Sequence, residues 1–227
     1  MKKLLFLVLC LSALLLPARS QTAAQTLTLD HYADYERTSG PRLSPDGKHV
    51  LYTRSWINLT DDRRESDLWI VGTDGSKNRY FINGSNGQWS PDGTRVAFTR
   101  KGEPDGTQIF VKYLDEEGEP TQVTRLADSP SDITWSPDGK YLAFTMHVDK
   151  DDTWKIDIPA KPEGANWTKA PAVIDDVVYR RDRVGYLEPG FDQVFVVPAE
   201  GGTARQVTTG DWDHDGRLAW TPDGKKI

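Results

Sequence analysis

Apolar and polar residues alternate over short segments of the chain, and turn residues bound each segment. Residues 50–53, 96–99 and 142–145 alternate in this way, and each segment follows a Pro-Asp-Gly turn. Alternation with a period of two residues is typical of β-strands, whereas an amphipathic helix has a period of 3.6 residues. The pattern therefore predicts a protein built from short β-strands.

The Pro-Asp-Gly turn belongs to a longer repeat that begins with Ser or Thr. Its four aspartates are Asp46, Asp92, Asp138 and Asp223, so the intervals are 46, 46 and 85 residues. Pro presets φ in such a turn, Asp caps the turn with its side chain, and Gly permits the positive φ that closes a hairpin. We therefore expect these aspartates to form turns and not to act as catalytic acids.

Two further strands fit between successive Pro-Asp-Gly turns. The predicted pairs are residues 67–71 with 77–82, 108–113 with 121–126, and 193–197 with 204–208, and a strand is also predicted to end at Trp220. Four short antiparallel strands that repeat every ~40–50 residues are the signature of propeller blades. The sequence predicts an all-β fold, an incomplete β-propeller with about three and a half four-stranded blades.

The interval of 85 residues contains one repeat and a surplus. The surplus, residues 149–192, is rich in charged, Pro and aromatic residues and lacks the turn motif, so we expect an insertion and not another blade. The candidate residues for recognition of a substrate or partner lie in it: Arg180, Arg181, Asp182 and Tyr186. Arginine binds carboxylates well, but a solvated charged surface is the alternative.

The N-terminus has the pattern of a signal peptide. Lys2 and Lys3 precede an apolar run of 13 residues, 4–16, and Ala18 and Ser20 supply the small residues of a cleavage site. A membrane-spanning helix needs ~20 apolar residues. We therefore expect residues 1–20 to be removed and residues 21–227 to be periplasmic or secreted, with no membrane attachment after cleavage.

Composition and charge exclude several kinds of chemistry. The only cysteine, Cys10, lies in the predicted signal peptide, which leaves no disulfide, thiolate metal site or cysteine nucleophile afterwards. The formal charge is −6 and becomes −9 without residues 1–20, which contain three basic residues and no acidic one. An acidic chain is a poor match for nucleic acid or anionic lipid.

Motifs for catalysis or metal binding are weak. Residues 83–87, Asn-Gly-Ser-Asn-Gly, depart from the Gly-x-Ser-x-Gly nucleophile elbow and are predicted to be a loop. The four histidines lack paired ligand spacing, so we expect no metal site and no cofactor. Asp211, Asp213 and Asp215 match the opening of a calcium loop, but its twelfth position is Pro222 instead of Glu. Calcium binding there is the minor alternative to a solvated acidic loop.

The repeated Trp-Ser-Pro-Asp-Gly turn, followed by Val/Leu-Ala-Phe, resembles the repeat shared by the prolyl oligopeptidase family of serine peptidases and TolB-type periplasmic propellers. The interrupted third unit, from Tyr179-Arg-Arg-Asp through residues 195–202 and 205–211, resembles the acylaminoacyl-peptidase and dipeptidyl-peptidase members of that family. This resemblance implies a C-terminal α/β-hydrolase domain, absent from residues 1–227, with a Ser-Asp-His triad. No catalytic residue can be assigned in this chain.

Three functional hypotheses are compatible with these features. The leading one is the substrate-gating propeller of an exported serine peptidase, whose catalytic domain would hydrolyse peptides. The alternative is a TolB-type propeller that binds proteins and is not an enzyme. A propeller lyase or carbohydrate enzyme with an axial metal is disfavoured because the sequence has no clustered ligands. Since an open propeller leaves blade faces uncovered, we also expect the isolated chain to be marginally stable or to aggregate.

Overall fold

The computed structural model describes residues 26–28, 31–32, 34–115, 117–150, 159–168, 174 and 177–227, which form fourteen β-strands. The predicted signal peptide and Cys10 lie outside the described residues, as does part of the predicted insertion. In the part of the chain that is described, no helix is long and apolar enough to cross a membrane.

Three antiparallel four-stranded sheets, which we call blades 1 to 3, follow one another along the chain. Blade 1 contains β1 (Arg37–Leu43), β2 (His49–Asn58), β3 (Arg63–Gly72) and β4 (Arg79–Asn83). Blade 2 contains β5 (Ser85–Trp89), β6 (Arg95–Gly102), β7 (Gly106–Tyr113) and β8 (Thr121–Gln122). Blade 3 contains β9 (Ser131–Trp135), β10 (Tyr141–Asp149), β13 (Gly190–Pro198) and β14 (Arg205–Gln206), and the insertion contains β11 (Arg180–Arg181) and β12 (Gly185–Tyr186).

The predicted all-β fold of four-stranded propeller blades is confirmed, and the blades do not close a ring. Some strand predictions were wrong. The outermost strands of blades 2 and 3 have only two residues each, and among the described residues no strand ends at Trp220. Residues 83–87 are not a loop, because only Gly84 separates β4 from β5.

The first strands of the blades lie side by side and are joined by tryptophan indoles. Trp89, at the end of β5, donates from Nε1 to the carbonyl oxygen of Arg42 at 3.0 Å. Trp135, at the end of β9, donates in the same way to the carbonyl oxygen of Gln88 at 3.1 Å. The Trp of the repeat therefore joins blade 2 to blade 1 and blade 3 to blade 2.

A hydrophobic core fills each interface between blades. Leu51, Ile70 and the stacked pair Phe98 and Phe110 are buried between blades 1 and 2, with ring centroids 6.0 Å apart. A second core lies between blades 2 and 3 and contains another stacked pair, Phe144 and Phe195, at 5.7 Å. Such aromatic pairs contribute ~0.5–1.5 kcal/mol beyond the apolar area that they bury.

Each of the four Pro-Asp-Gly turns has the same pattern of hydrogen bonds. In blade 2, Asp92 Oδ1 accepts bonds from Ser90 Oγ at 2.5 Å and from Thr94 N at 3.0 Å. Ser90 Oγ in turn accepts a bond from Arg95 N at 2.9 Å. The same bonds recur around the other three aspartates, Asp46, Asp138 and Asp223. These aspartates therefore have the turn-forming role that the sequence predicts.

A buried glutamine side chain hydrogen-bonds to residues that follow each of the two shortest outer strands. Gln108 Oε1 accepts bonds from Thr124 Oγ1 at 3.0 Å and from Leu126 N at 2.8 Å. Gln193 Oε1 likewise accepts a bond from Thr208 Oγ1 at 2.8 Å. Side chains thus replace part of the backbone ladder beyond β8 and β14. The signal in the sequence is the Gln-Val-Thr triplet, which occurs at residues 122–124 and 206–208.

Candidate functional site

The insertion leaves blade 3 at the end opposite to the Pro-Asp-Gly turn. β10 starts beside this turn, where Tyr141 pairs with Pro198, and the β10–β13 ladder continues to the pair of Asp149 with Gly190. A bond from Lys150 N to the Pro189 carbonyl oxygen, at 3.0 Å, closes the stem. Lys150 and Pro189 therefore lie on the side of the propeller away from the repeated turns.

All four residues predicted to recognise a substrate or partner lie on one hairpin, residues 179–187, which we call the Arg/Tyr hairpin. Arg180 pairs with Tyr186 and Arg181 pairs with Gly185. Asp182 lies in the turn, where Arg183 and Gly185 have φ values of 65° and 96°. Leu187 N donates to the Tyr179 carbonyl oxygen at 2.9 Å. The hairpin therefore has its own hydrogen-bonded frame.

The surface of the Arg/Tyr hairpin combines exposed aromatic and cationic groups. The rings of Tyr179 and Tyr186 stack with centroids 6.1 Å apart, and the residues are 45% and 68% exposed. Arg180, Arg181 and Arg183 are exposed. Within the described ranges, none of these three guanidinium groups forms an ion pair. The arrangement suits an anionic group that carries apolar surface beside it.

Two histidines that are far apart in the sequence meet at the base of the insertion. His147 Nδ1 lies 3.3 Å from Asp192 Oδ1, and His214 N donates to the Asp192 carbonyl oxygen at 2.7 Å. The Nε2 atoms of His147 and His214 are buried and have no hydrogen-bond partner among the described residues. The sequence did not indicate this cluster, because the histidines have no shared spacing.

The acidic loop that contains the minor calcium candidates, Asp211, Asp213 and Asp215, is joined to blade 3 by a hydrogen bond. Asp213 Oδ1 accepts a hydrogen bond from Asp192 N at 2.9 Å, which ties the loop to the start of β13. Asp211 and Asp215 are exposed on either side of it. In the described residues, no group of three or more His, Cys, Asp or Glu side chains is placed to hold a metal ion. The geometry thus adds no support for calcium binding.

Comparison with known proteins identifies relatives along most of the chain. It is 28% identical over 204 residues to a Bacillus subtilis (strain 168) protein named uncharacterized peptidase YuxL, a match covering 88% of this chain and 30% of that protein. Over 122 residues it is 29% identical to dipeptidyl-peptidase 5 of Porphyromonas endodontalis, covering 52% of this chain and 17% of that protein. These similarities support the interpretation of the chain as a propeller portion of the prolyl oligopeptidase type.

A solved structure supports the same fold. The Pyrococcus horikoshii acylaminoacyl peptidase superposes with a TM-score of 0.60 at 21% identity, covering 78% of this chain and 25% of that chain. No protein-family model matches the chain. The chain spans less than a third of the length of the curated relatives that it matches.

Proposed function

We propose that this chain is the substrate-gating propeller of an exported serine peptidase of the prolyl oligopeptidase family. The proposal is supported by the similarity to proteins named as peptidases along 88% of the chain in the longest match. Peptide hydrolysis itself would be carried out by a hydrolase domain outside these 227 residues. The role of the present chain is then to select which peptides reach that domain.

The observation that carries the recognition role is the exposed Arg/Tyr hairpin. Its guanidinium groups have no ion-pair partner among the described residues, although the whole chain has a formal charge of −6. A guanidinium can donate two parallel hydrogen bonds to a carboxylate, and the adjacent tyrosine rings offer apolar contact. Arg180 and Arg181 are therefore suited to bind a free carboxylate of a short peptide, with Tyr186 beside it.

A kinetic experiment on the complete protein tests this role. Arg180→Ala and Arg181→Ala are compared for short peptides with a free C-terminal carboxylate and for the same peptides as C-terminal amides. Because a charge-assisted hydrogen bond contributes ~1.5–3 kcal/mol, each variant should raise KM for the acids about tenfold or more, and should leave the amides unchanged. Arg125→Ala, another exposed arginine, is the control.

The outcomes of this experiment separate the alternatives. Equal KM values for acids and amides in all variants would remove the recognition role of the hairpin. Absence of peptidase activity in the complete protein, together with stable binding of other proteins, would favour the TolB-type scaffold instead.

Export is tested separately. If residues 1–20 are a signal peptide, the mature protein in the periplasm or medium begins at Gln21, as Edman or mass-spectrometric sequencing would show. Retention of Met1 on a cytoplasmic protein would contradict export, without affecting the peptidase proposal.

A further inference from the structure

The tripeptide Pro-Asp-Gly occurs a fifth time, outside the repeat, at residues 104–106. It lies in the turn between β6 and β7 of blade 2. The four repeated turns have Ser or Thr before the proline, whereas Glu103 takes that place in the fifth. Asp105 and the aspartate of a repeated turn, such as Asp46, therefore have the same immediate neighbours in the sequence but different surroundings in the fold.

An aspartate followed by glycine can react with its own main chain. The amide nitrogen of the glycine attacks Cγ of the protonated carboxyl, a water molecule leaves, and a five-membered succinimide ring forms. Water then adds to one of the two ring carbonyl carbons, which gives back aspartate or yields isoaspartate, whose main chain runs through the former side-chain carboxyl. The reaction consumes only the water that it released. Glycine favours it because no side chain obstructs the attacking nitrogen.

The repeated turn restrains both groups that take part in this reaction. Asp46 Oδ1 accepts hydrogen bonds from Ser44 Oγ at 2.6 Å and from Lys48 N at 3.1 Å. The attacking atom, Gly47 N, donates to the Ser44 carbonyl oxygen at 2.9 Å. The bond from Ser44 Oγ also lowers the pKa of the Asp46 carboxyl, so less of the reactive protonated form is present. We therefore expect isomerisation to be slow in the repeated turns.

Asp105 lacks the hydroxyl and the backbone N–H that hold Asp46. Within the described ranges, its carboxylate bonds only to Lys101, whose Nζ lies 2.8 Å from Asp105 Oδ1. The two side chains are 80% and 82% exposed, and such an ion pair is weakened by water and salt. The carboxyl of Asp105 is therefore freer to rotate and to take up a proton than that of Asp46.

The glycine after Asp105 is also favourably placed. Gly106 pairs with Gly102 at the last position of the β6–β7 ladder, and the ends of a ladder open most readily. A Cβ built on Gly106 would meet no atom within 4 Å, so a succinimide ring has space there. On the other side of the turn, Glu103 N is held by Gln122 Oε1 at 3.1 Å. Mobility in this hairpin is thus confined to Asp105 and Gly106.

We propose that Asp105 is a site of spontaneous isomerisation to isoaspartate, and that the hydroxyl of each Ser/Thr-Pro-Asp-Gly turn protects the other four aspartates. Isoaspartate would add one main-chain atom between β6 and β7 and would move the carboxylate away from Lys101. Blade 2 packs against blade 1 on one side and blade 3 on the other, so its neighbours within the propeller are described. The proposal does not depend on peptidase activity.

Peptide mapping of the complete protein after prolonged storage tests the proposal. The folded protein is kept at about pH 6, where a small fraction of an ordinary carboxyl is protonated, and is then digested with trypsin. Residues 102–112 and 43–48 are tryptic peptides that each contain one aspartate and no asparagine. Chromatography separates the isoaspartyl form of each peptide, and methylation by an isoaspartyl methyltransferase confirms it. Isoaspartate should accumulate at least about fivefold faster at Asp105 than at Asp46, because two hydrogen bonds oppose the reaction at Asp46.

Two variants and a denatured control show whether the fold causes the difference. Asp105→Glu keeps the charge but would need a six-membered ring, so residues 102–112 should stay unmodified. Ser44→Ala should raise the rate at Asp46, with circular dichroism to verify that the variant is folded. In denaturant the two rates should become similar. Equal rates in the folded protein, a difference that persists in denaturant, or an unchanged rate at Asp46 in folded Ser44→Ala would overturn the proposal.

Discussion

Arg95 of blade 2 and Glu200 of blade 3 form an ion pair between Nη1 and Oε1 at 2.8 Å, across 105 residues of sequence. The guanidinium also donates from Nη2 to the Gly139 carbonyl oxygen at 2.8 Å and lies 4.9 Å over the Trp135 ring. The Arg95 side chain is 11% exposed, but that of Glu200 is 76% exposed. The arginine is therefore the buried partner that joins the two blades.

Arg95→Ala should destabilise the chain much more than Glu200→Ala. Loss of Arg95 removes two charge-assisted hydrogen bonds and the contact with Trp135, which we expect to cost ~2–4 kcal/mol. Loss of Glu200 removes only a largely exposed partner and should cost under ~1 kcal/mol. Urea unfolding followed by tryptophan fluorescence measures both. Equal losses would show that the ion pair, and not the guanidinium packing, joins the blades.

Acid should destabilise the blades through the turn aspartates. The hydrogen bond from Ser90 Oγ lowers the pKa of the Asp92 carboxyl, and the corresponding hydroxyl lowers the pKa of the other three turn aspartates. A carboxyl with a lowered pKa stabilises the fold above its unfolded pKa, and this contribution is lost as pH falls through the folded pKa. Stability should therefore fall below about pH 4. Asp92→Asn should make thermal unfolding less dependent on pH in that range.

The buried glutamine of blade 2 should be needed for its short outer strand. Gln108→Leu keeps the volume but leaves Thr124 Oγ1 and Leu126 N without their acceptor, which we expect to cost ~1–3 kcal/mol. Thr124→Val alone should cost a similar amount, and the double variant less than the sum, because both remove the same bond. Additive losses in a double-mutant cycle would contradict the shared network.

Gly190 should resist substitution because the insertion stem leaves no room for a side chain. Its φ is +155°, and a Cβ would lie 2.4 Å from the Val148 carbonyl oxygen and 2.5 Å from His147 Nε2. Gly190→Ala should lower stability by ~1–3 kcal/mol and should shift the NMR resonances of the His147 ring. Gly118→Ala, where nothing lies within 4 Å of the added Cβ, is the matched control. An unchanged melting temperature for Gly190→Ala would contradict the tight stem.

Local turn chemistry explains which parts of the fold could be predicted. The Pro-Asp-Gly turns set the second strand of each blade, and the structure has β2, β6 and β10 where the alternating segments were predicted. The outer strands were predicted too long, because Gln108 and Gln193 replace backbone bonds beyond β8 and β14. A strand ending at Trp220 was wrong, since the described residues provide it with no paired neighbour.

Only the residue types of the candidate site could be predicted from the sequence. The Arg/Tyr hairpin was visible as a dense cluster within the surplus of the 85-residue interval. The meeting of His147 and His214 at Asp192 was not visible, because the β10–β13 ladder and the loop after blade 3 bring these residues together. The recognition role of the hairpin stays a prediction.

The sequence by itself determined the repeat, the turns and the resemblance to the prolyl oligopeptidase family, because each depends on residues within a few positions of one another. The tertiary structure alone decided which residues join the blades. Trp135 reaches Gln88 across 47 residues, and Arg95 reaches Glu200 across 105 residues. Such contacts depend on how whole sheets stack, which local sequence does not specify.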